Sequence, residues 1–365
     1  MQQLKTGTLL QGGKYRIERV LGQGGFGITY LATQILLDRK VAIKEFFYKE
    51  YCDRDETTGQ VSVSTQSNQE VIERFLAKFL KEAKTISKLE HPNIIQIFDI
   101  FQENQTAYYV MEYVEGESLA DKVNHRGALP EQEVLTYIHP VADALAYIHA
   151  KRINHLDVKP GNIMVREKDK QVLLIDFGLS KQYDDTGSQT SSTPVGISNG
   201  YAPIEQYKPG GVSSFSPQTD IYSLGATMYK LLTGQTPPSA SDILNEGLPP
   251  LPATVSMSVG KAIEWAMKIR KSDRPQDIES LMKAIPTVMD GQSADVSKAS
   301  AMHMDNDETV SFDHYTPKRK DKTIEPAKLQ EVSRATIESV DNEGNKAWGL
   351  VAAIVIISTI SLFFI

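Results

Sequence analysis

Apolar and polar residues alternate in Tyr15-Arg16-Ile17-Glu18-Arg19-Val20, and this period of two predicts a strand. After a cluster of glycines, Ile28-Thr29-Tyr30-Leu31-Ala32 and Val41-Ala42-Ile43-Lys44 predict two more. Residues 50–69 are polar, and Thr57-Thr58-Gly59-Gln60 suggests a small hairpin. From Glu70 to Leu89 the period becomes helical, with Val71, Phe75, Phe79, Ala83 and Ile86 on one face. Ile94–Phe101 and Ala107–Tyr113 read again as strands. Beyond Gly116 the pattern is mostly helical, over Glu131–Ala150, Thr219–Leu232 and Val259–Lys271. The chain therefore predicts an α+β fold, a small β-rich lobe followed by a larger helical lobe, with a cleft between the two.

The pattern changes near Ile285-Pro286. Residues 286–346 are rich in Ser, Asp, Thr and Lys and poor in large apolar residues, which predicts a disordered linker. The nineteen residues from Ala347 to Ile365 carry no charge and are apolar on every face. As a helix they would extend about 28 Å, close to the hydrocarbon thickness of a bilayer. Trp348 stands where an interfacial aromatic would anchor such a span. We expect a C-terminal membrane anchor in preference to a buried helix; a chain cut before a further domain would look the same.

Composition narrows the chemistry. A net charge of −7 gives no support for nucleic-acid binding. The single cysteine, Cys52, rules out a disulfide within the chain and argues against a cysteine zinc site. The chemistry lies instead in His155-Leu156-Asp157-Val158-Lys159-Pro160-Gly161-Asn162, followed fourteen residues later by Asp176-Phe177-Gly178. A candidate base (Asp157), a cation (Lys159) and two hard oxygen ligands (Asn162, Asp176) suit phosphoryl transfer, which needs alignment and charge neutralisation more than covalent help. Gly22-Gln23-Gly24-Gly25-Phe26-Gly27 lies between two strands, which disfavours a dinucleotide-binding turn and favours a hairpin whose backbone nears phosphates. Lys44 ends an apolar strand. An ammonium buried there needs partners, and Glu82 on the following helix is one candidate.

These motifs, in this order from about Tyr15 to Ile285, resemble the protein kinase family, in particular the eukaryotic-like Ser/Thr protein kinases of bacteria. The resemblance implies a bilobal kinase-like fold: a lead-in at 1–14, a kinase domain at 15–285 (N-lobe 15–113, C-lobe 114–285), a juxtamembrane linker at 286–346 and a transmembrane helix at 347–365. It implies ATP and Mg²⁺ as cofactors, with Asp157 as base, Lys159 balancing charge on the moving phosphoryl group, Lys44 on the α- and β-phosphates paired to Glu82, and Asn162 and Asp176 as metal ligands. The nucleotide would lie among Leu21, Gly22, Gln23, Gly24, Gly25, Phe26, Gly27, Thr29, Ala42, Lys44, Met111, Glu112, Val114, Asn162, Met164 and Asp176. Glu112 and Val114 would offer backbone groups to adenine, Met111 would be the gatekeeper, Ala42 the roof and Met164 the floor. Glu205 would pair with Arg274, and Asp220 would anchor the catalytic loop.

Lys159 and Ser198 match the Ser/Thr rather than the Tyr kinases, so the implied partners are proteins bearing Ser or Thr, the chain itself included, with a homodimer as one route to autophosphorylation. The implied location is the inner membrane, single-pass, with the kinase domain cytoplasmic. Two other readings compete: a non-catalytic scaffold of the same fold, and a small-molecule phosphotransferase. The Lys159-Pro160 pair and the Glu205–Arg274 pairing argue against the second.

Three departures from the family pattern stand out. Leu156 replaces the Arg that usually precedes the base and pairs with an activation-loop phosphate. Thr29 replaces a Val of similar volume. The stretch between Lys44 and Glu82 is long, and its hairpin near Thr57–Ser64 is either a docking or regulatory surface or a tolerated insertion. The hydroxyls of the activation segment (Ser180, Thr186, Ser188, Thr190, Ser191, Ser192, Thr193) fit phosphorylation sites and a plain polar loop equally well.

Overall fold

The computed structural model describes residues 2–177, 181–182, 197–207, 212 and 214–286. The activation-segment hydroxyls from Ser180 to Thr193, most of the linker and the expected membrane segment at 347–365 lie outside them. No helix among the described residues is long and apolar enough to cross a membrane.

The N-lobe is built on one antiparallel sheet of six strands. These are β1 (Leu9–Leu10), β2 (Tyr15–Gln23), β3 (Gly27–Gln34), β4 (Arg39–Phe46), β7 (Ile97–Glu103) and β8 (Thr106–Glu112), in the order β1-β2-β3-β4-β8-β7. Strand β4 lies inside the sheet, and its alternation sets the lobe's polarity. Val41, Ile43 and Glu45 point into the lobe's core, while Ala42 and Lys44 point to the cleft. Between β4 and β7 run a hairpin, β5 (Cys52–Arg54) and β6 (Val61–Val63), and the helix α1 (Gln66–Ile86). The lead-in is part of this lobe: Leu4 and Leu10 are buried in the same core as Tyr15, Tyr30 and Phe47.

The expected strand at 94–101 begins only at Ile97. The residues before it are used elsewhere, because Ile95 N–H donates to Leu174 O and Leu174 N–H to Asn93 O, tying the N-lobe to the helical lobe.

After β8 come the short strand β9 (Gly116–Ser118) and α2 (Leu119–Arg126), opened by a reciprocal capping box between Ser118 and Asp121. Then follow α3 (Glu131–Ala150), β10 (Ile153–Asn154), β11 (Ile163–Arg166) and β12 (Val172–Leu174). Strand β9 pairs with β11 so closely that a Cβ on Gly116 would collide with the carbonyl of Val165. The remaining elements are β13 (Lys181–Gln182), paired with β10, and the helices α4 (Pro217–Thr233), α5 (Ala240–Glu246), α6 (Met257–Ala266) and α7 (Ile278–Lys283).

Helix α4 is buried along almost its whole length, including Asp220, and forms the floor on which the catalytic loop rests. Helix α6 stops at Ala266, five residues before the periodicity predicts. The carbonyls of Lys268 and Ile269, freed from helical bonding, accept instead from Arg274 at 2.6 and 2.7 Å.

Candidate active site

The loop from His155 to Asn162 takes its shape from Asp220. This carboxylate accepts from the backbone N–H of His155 (2.9 Å) and Leu156 (2.7 Å), from Asn154 Nδ2 (3.0 Å) and from His149 Nε2 (2.8 Å). Burial alone would push its pKa up. The His149 hydrogen bond and the surrounding donors outweigh burial and hold it below the usual carboxylate range. These bonds, with Gln206 Nε2 on Leu156 O at 3.0 Å, keep Leu156 in the left-handed region at φ 65°, a strained position for a branched side chain.

His155 links this loop to the segment bearing Asp176. Its Nε2 faces Ile175 O at 3.2 Å and must donate; its Nδ1 accepts from Asp157 N–H at 3.3 Å. That tautomer is neutral, and burial lowers the ring's pKa in agreement.

Asp157 emerges at the end of this scaffold with both oxygens engaged. Oδ2 accepts from Asn162 Nδ2 at 2.8 Å and lies 2.9 Å from Lys159 Nζ. Oδ1 accepts from Ser198 Oγ at 2.6 Å, and the same hydroxyl accepts from Lys159 Nζ at 2.9 Å. An alkyl hydroxyl thus sits on the predicted base, beside the predicted cation. The second Asn162 bond, to Asp157 O, commits its amide nitrogen fully and leaves the amide oxygen as the atom that can meet a cation.

Across the cleft, Lys44 makes an ion pair with Asp176, whose carboxylate is half-exposed and whose φ is 55°. Burial acts to lower the Lys44 pKa, but Asp176 and the hydroxyl of Tyr109 more than offset it, and the net shift is upward. Tyr109 is pushed up to about 12, chiefly by burial. Glu82, the partner expected for Lys44, is buried on α1 and contributes to that rise through its charge.

The cleft has a volume of about 470 Å³, within the range of small-ligand sites. Leu21, Gly22, Thr29 and Ala42 line it from the N-lobe, Met111, Glu112 and Val114 from the connection, and Asn162, Met164 and Asp176 from below. The N–H of Glu112 is already donated to Gln96 O, so its carbonyl is the atom available to a base edge. Of the predicted nucleotide residues, Gln23, Gly24, Gly25, Phe26 and Gly27 do not line this cavity. They form the turn at its edge, closed by Gly24 N–H on Gly27 O at 2.9 Å. A Cβ on Gly27 would stand 2.6 Å from Glu45 O and could not be accommodated without shifting β4.

Sequence reasoning missed Tyr109, Ser118 and Asp121 as lining residues. For the last two a signal existed: Ser-x-x-Asp directly after the connection marks a helix start facing the cleft.

The predicted Glu205–Arg274 pair is present and bidentate, at 2.7 and 3.1 Å, with the guanidinium wholly buried. It fastens the end of the activation segment to α4, where Thr219 Oγ1 also donates to Glu205. Because Arg274 would be left as an unpaired buried charge, Glu205→Gln should destabilise the chain by about 3 kcal/mol. A urea midpoint equal to that of the wild type would show the pair contributes nothing.

Residues 15–288 match the protein kinase domain family, and the chain belongs to it. Among its relatives is the serine/threonine-protein kinase PrkC of Bacillus subtilis, 32% identical over 270 residues, which are 74% of this chain and 37% of that protein. The serine/threonine-protein kinase pkn2 of Myxococcus xanthus is 30% identical over 302 residues, covering 79% of this chain and 34% of pkn2. The chain thus spans well under half the length of these relatives. Among solved structures it superposes on the apo form of PpkA-294 with a TM-score of 0.66 and 26% identity, over 78% of this chain and all of that one.

Proposed function

We propose that the chain transfers the γ-phosphoryl group of ATP to Ser and Thr hydroxyls of proteins, its own included, from a position held at a membrane by residues 347–365. The observation that carries the catalytic part is the seat of Ser198: a serine hydroxyl 2.6 Å from Asp157 Oδ1 and 2.9 Å from Lys159 Nζ. A substrate hydroxyl placed there has a carboxylate to take its proton and an ammonium to offset charge on the oxygens around it.

Asp157 accepts that proton at Oδ1, with Asn162 and Lys159 fixing the carboxylate's orientation. Lys44 would hold the α- and β-phosphates, and Asn162 and Asp176 would hold Mg²⁺. The fit is chemical: a largely covered cation and a half-exposed carboxylate, paired with each other, line one cavity. Bound MgATP supplies the transferred group and neutralises its charge. Met111, Ala42 and Met164 would enclose adenine, and the Glu112 carbonyl would accept from its amino group. Leu156 cannot pair with a phosphate, so a phosphorylated activation segment would not be read by that route.

The naming of the relatives as serine/threonine-protein kinases and the Lys159–Ser198 contact support Ser and Thr as acceptors. The uncharged run after Lys346 supports the membrane part. The test is γ-phosphate incorporation by the full chain, alone and with a generic protein, with mass spectrometry of the labelled residues. Labelled Ser and Thr are expected, and partition of the chain with the membrane fraction. Nucleotide binding with no transfer would favour the scaffold reading instead. Lys44→Ala should lower incorporation about 10²-fold, as loss of one preorganised charge in a dry site does. Retained activity would mean another cation contacts the phosphates.

A further inference from the structure

Lys44 has a neighbour that the reaction does not use. Glu45, next along β4, points the other way and is wholly buried. Its carboxylate accepts from Tyr30 Oη (2.8 Å) and Tyr108 Oη (2.7 Å) and lies 2.6 Å from the guanidinium of Arg54, itself buried and stacked on Phe47. Arg54 comes from the β5–β6 hairpin, the stretch that length alone marks as an insertion.

The guanidinium does more than neutralise Glu45. Its Nε donates to Gln2 O and its Nη1 to Gly59 O, both at 2.7 Å. Leu4 N–H donates to Tyr30 Oη at 3.1 Å, so the lead-in joins the same cluster. The lead-in then reaches the glycine turn: Gln3 Nε2 donates to Gln23 Oε1 at 2.9 Å, and Gln23 Nε2 to Gln2 Oε1 at 3.4 Å. The chain leaving β4 reaches it too. Phe47 N–H donates to Phe26 O (3.1 Å) and Lys49 N–H to Gly25 O (3.2 Å), while Phe26 meets the Tyr48 ring edge-on at 4.8 Å. These tethers of the glycine turn, from the lead-in and from the chain leaving β4, lead back within a few residues to the Arg54–Glu45 pair.

We propose that Arg54 and Glu45 are positioning residues for the phosphate end of the cleft. Their ion pair pins the lead-in and the hairpin against β4, and these form a collar that holds the glycine turn beside Lys44. The proposal rests on the kinase reading above. An ion pair that served only to stabilise the lobe could stand anywhere in its core. This one stands on the strand that carries Lys44, and its partners are the segments bonded to the turn. A guanidinium suits the post because its rigid fork bonds Gln2 O and Gly59 O while its charge lies against Glu45, which an ammonium on a flexible stem does not reproduce.

The test compares the full chain with Arg54→Lys and with the double variant Glu45→Gln/Arg54→Met, which leaves no unpaired buried charge. Hydrogen exchange of the Gly24, Phe47 and Lys49 amides reads the collar without any nucleotide. Titration with an ATP analogue, and the split between KM for ATP and kcat, read its consequence. Expected in the double variant are faster exchange at those amides with α4 unchanged, analogue binding about tenfold weaker, and no change in KM for the protein substrate. Arg54→Lys should move the same readouts in the same direction, less far, and decides the matter alone if the double variant does not fold. A wild-type chain that bound no nucleotide would overturn the kinase reading and this inference with it. If the wild type binds and transfers while both variants match it in exchange and affinity, only the positioning role falls.

Discussion

Asp157→Asn should lower phosphoryl transfer by about 10²–10⁴-fold while nucleotide affinity stays at the wild-type level. The amide keeps the shape of the carboxylate, and one oxygen can still accept from Ser198. It cannot take a proton, and its NH₂ would face the donors Asn162 Nδ2 and Lys159 Nζ, which now contact Oδ2 at 2.8 and 2.9 Å. Lys44, Asp176 and the adenine end of the cleft are untouched, so the loss should fall on kcat and leave analogue titrations unchanged. The measurement is single-turnover γ-phosphate transfer at saturating ATP. Transfer at the wild-type rate would remove Asp157 from the role of base, whatever the fate of the rest of the site.

The second large effect is on folding. Asp220→Ala deprives four donors of one shared acceptor: two backbone amides, Asn154 Nδ2 and His149 Nε2. At about 1–3 kcal/mol for each buried donor left unsatisfied, the loss should exceed about 4 kcal/mol. That is a large share of a typical domain's 5–15 kcal/mol. Leu156 would also lose what holds it at φ 65°, so activity should vanish in any molecules that remain folded.

The acid limb of stability should change as well. The folded pKa of Asp220 is depressed. Its contribution is therefore complete above the unfolded value of about 3.9 and disappears as pH falls through the lower folded value. The wild type should lose stability on acidification below about pH 4, and Asp220→Asn should lose less over the same interval. Urea unfolding followed by circular dichroism from pH 7 downward tests both points. A midpoint for Asp220→Ala matching the wild type would sink the anchoring role.

Local signals in the chain were legible where the chemistry is local. The strands around the glycine turn, the helix at Glu131–Ala150 and the run from His155 to Asn162 follow from periodicity and from residue types at fixed short spacing. Glu45 was passed over because one acid between Lys44 and Phe46 has no periodic signature. Its meaning depends on Arg54, Tyr30 and Tyr108, which approach it from three other strands. The early end of α6 was hidden for a similar reason: the carbonyls of Lys268 and Ile269 give up helical bonding for Arg274, a preference no local pattern encodes.

From the order of residues alone came the family, the covered surfaces of several strands and helices, and the candidates for the base, the cation and the oxygen ligands. These depend on backbone periodicity and on motifs spanning a few residues. The Glu205–Arg274 pair was implied by the family resemblance, but other charge pairings came only from the folded chain. Lys44 faces Asp176 across 132 positions, and Glu45 meets Arg54 of the β5–β6 hairpin. A buried ion takes whichever counter-ion the closing of the chain brings within reach, and hydrophobic patterning says which side of an element is covered but not what covers it.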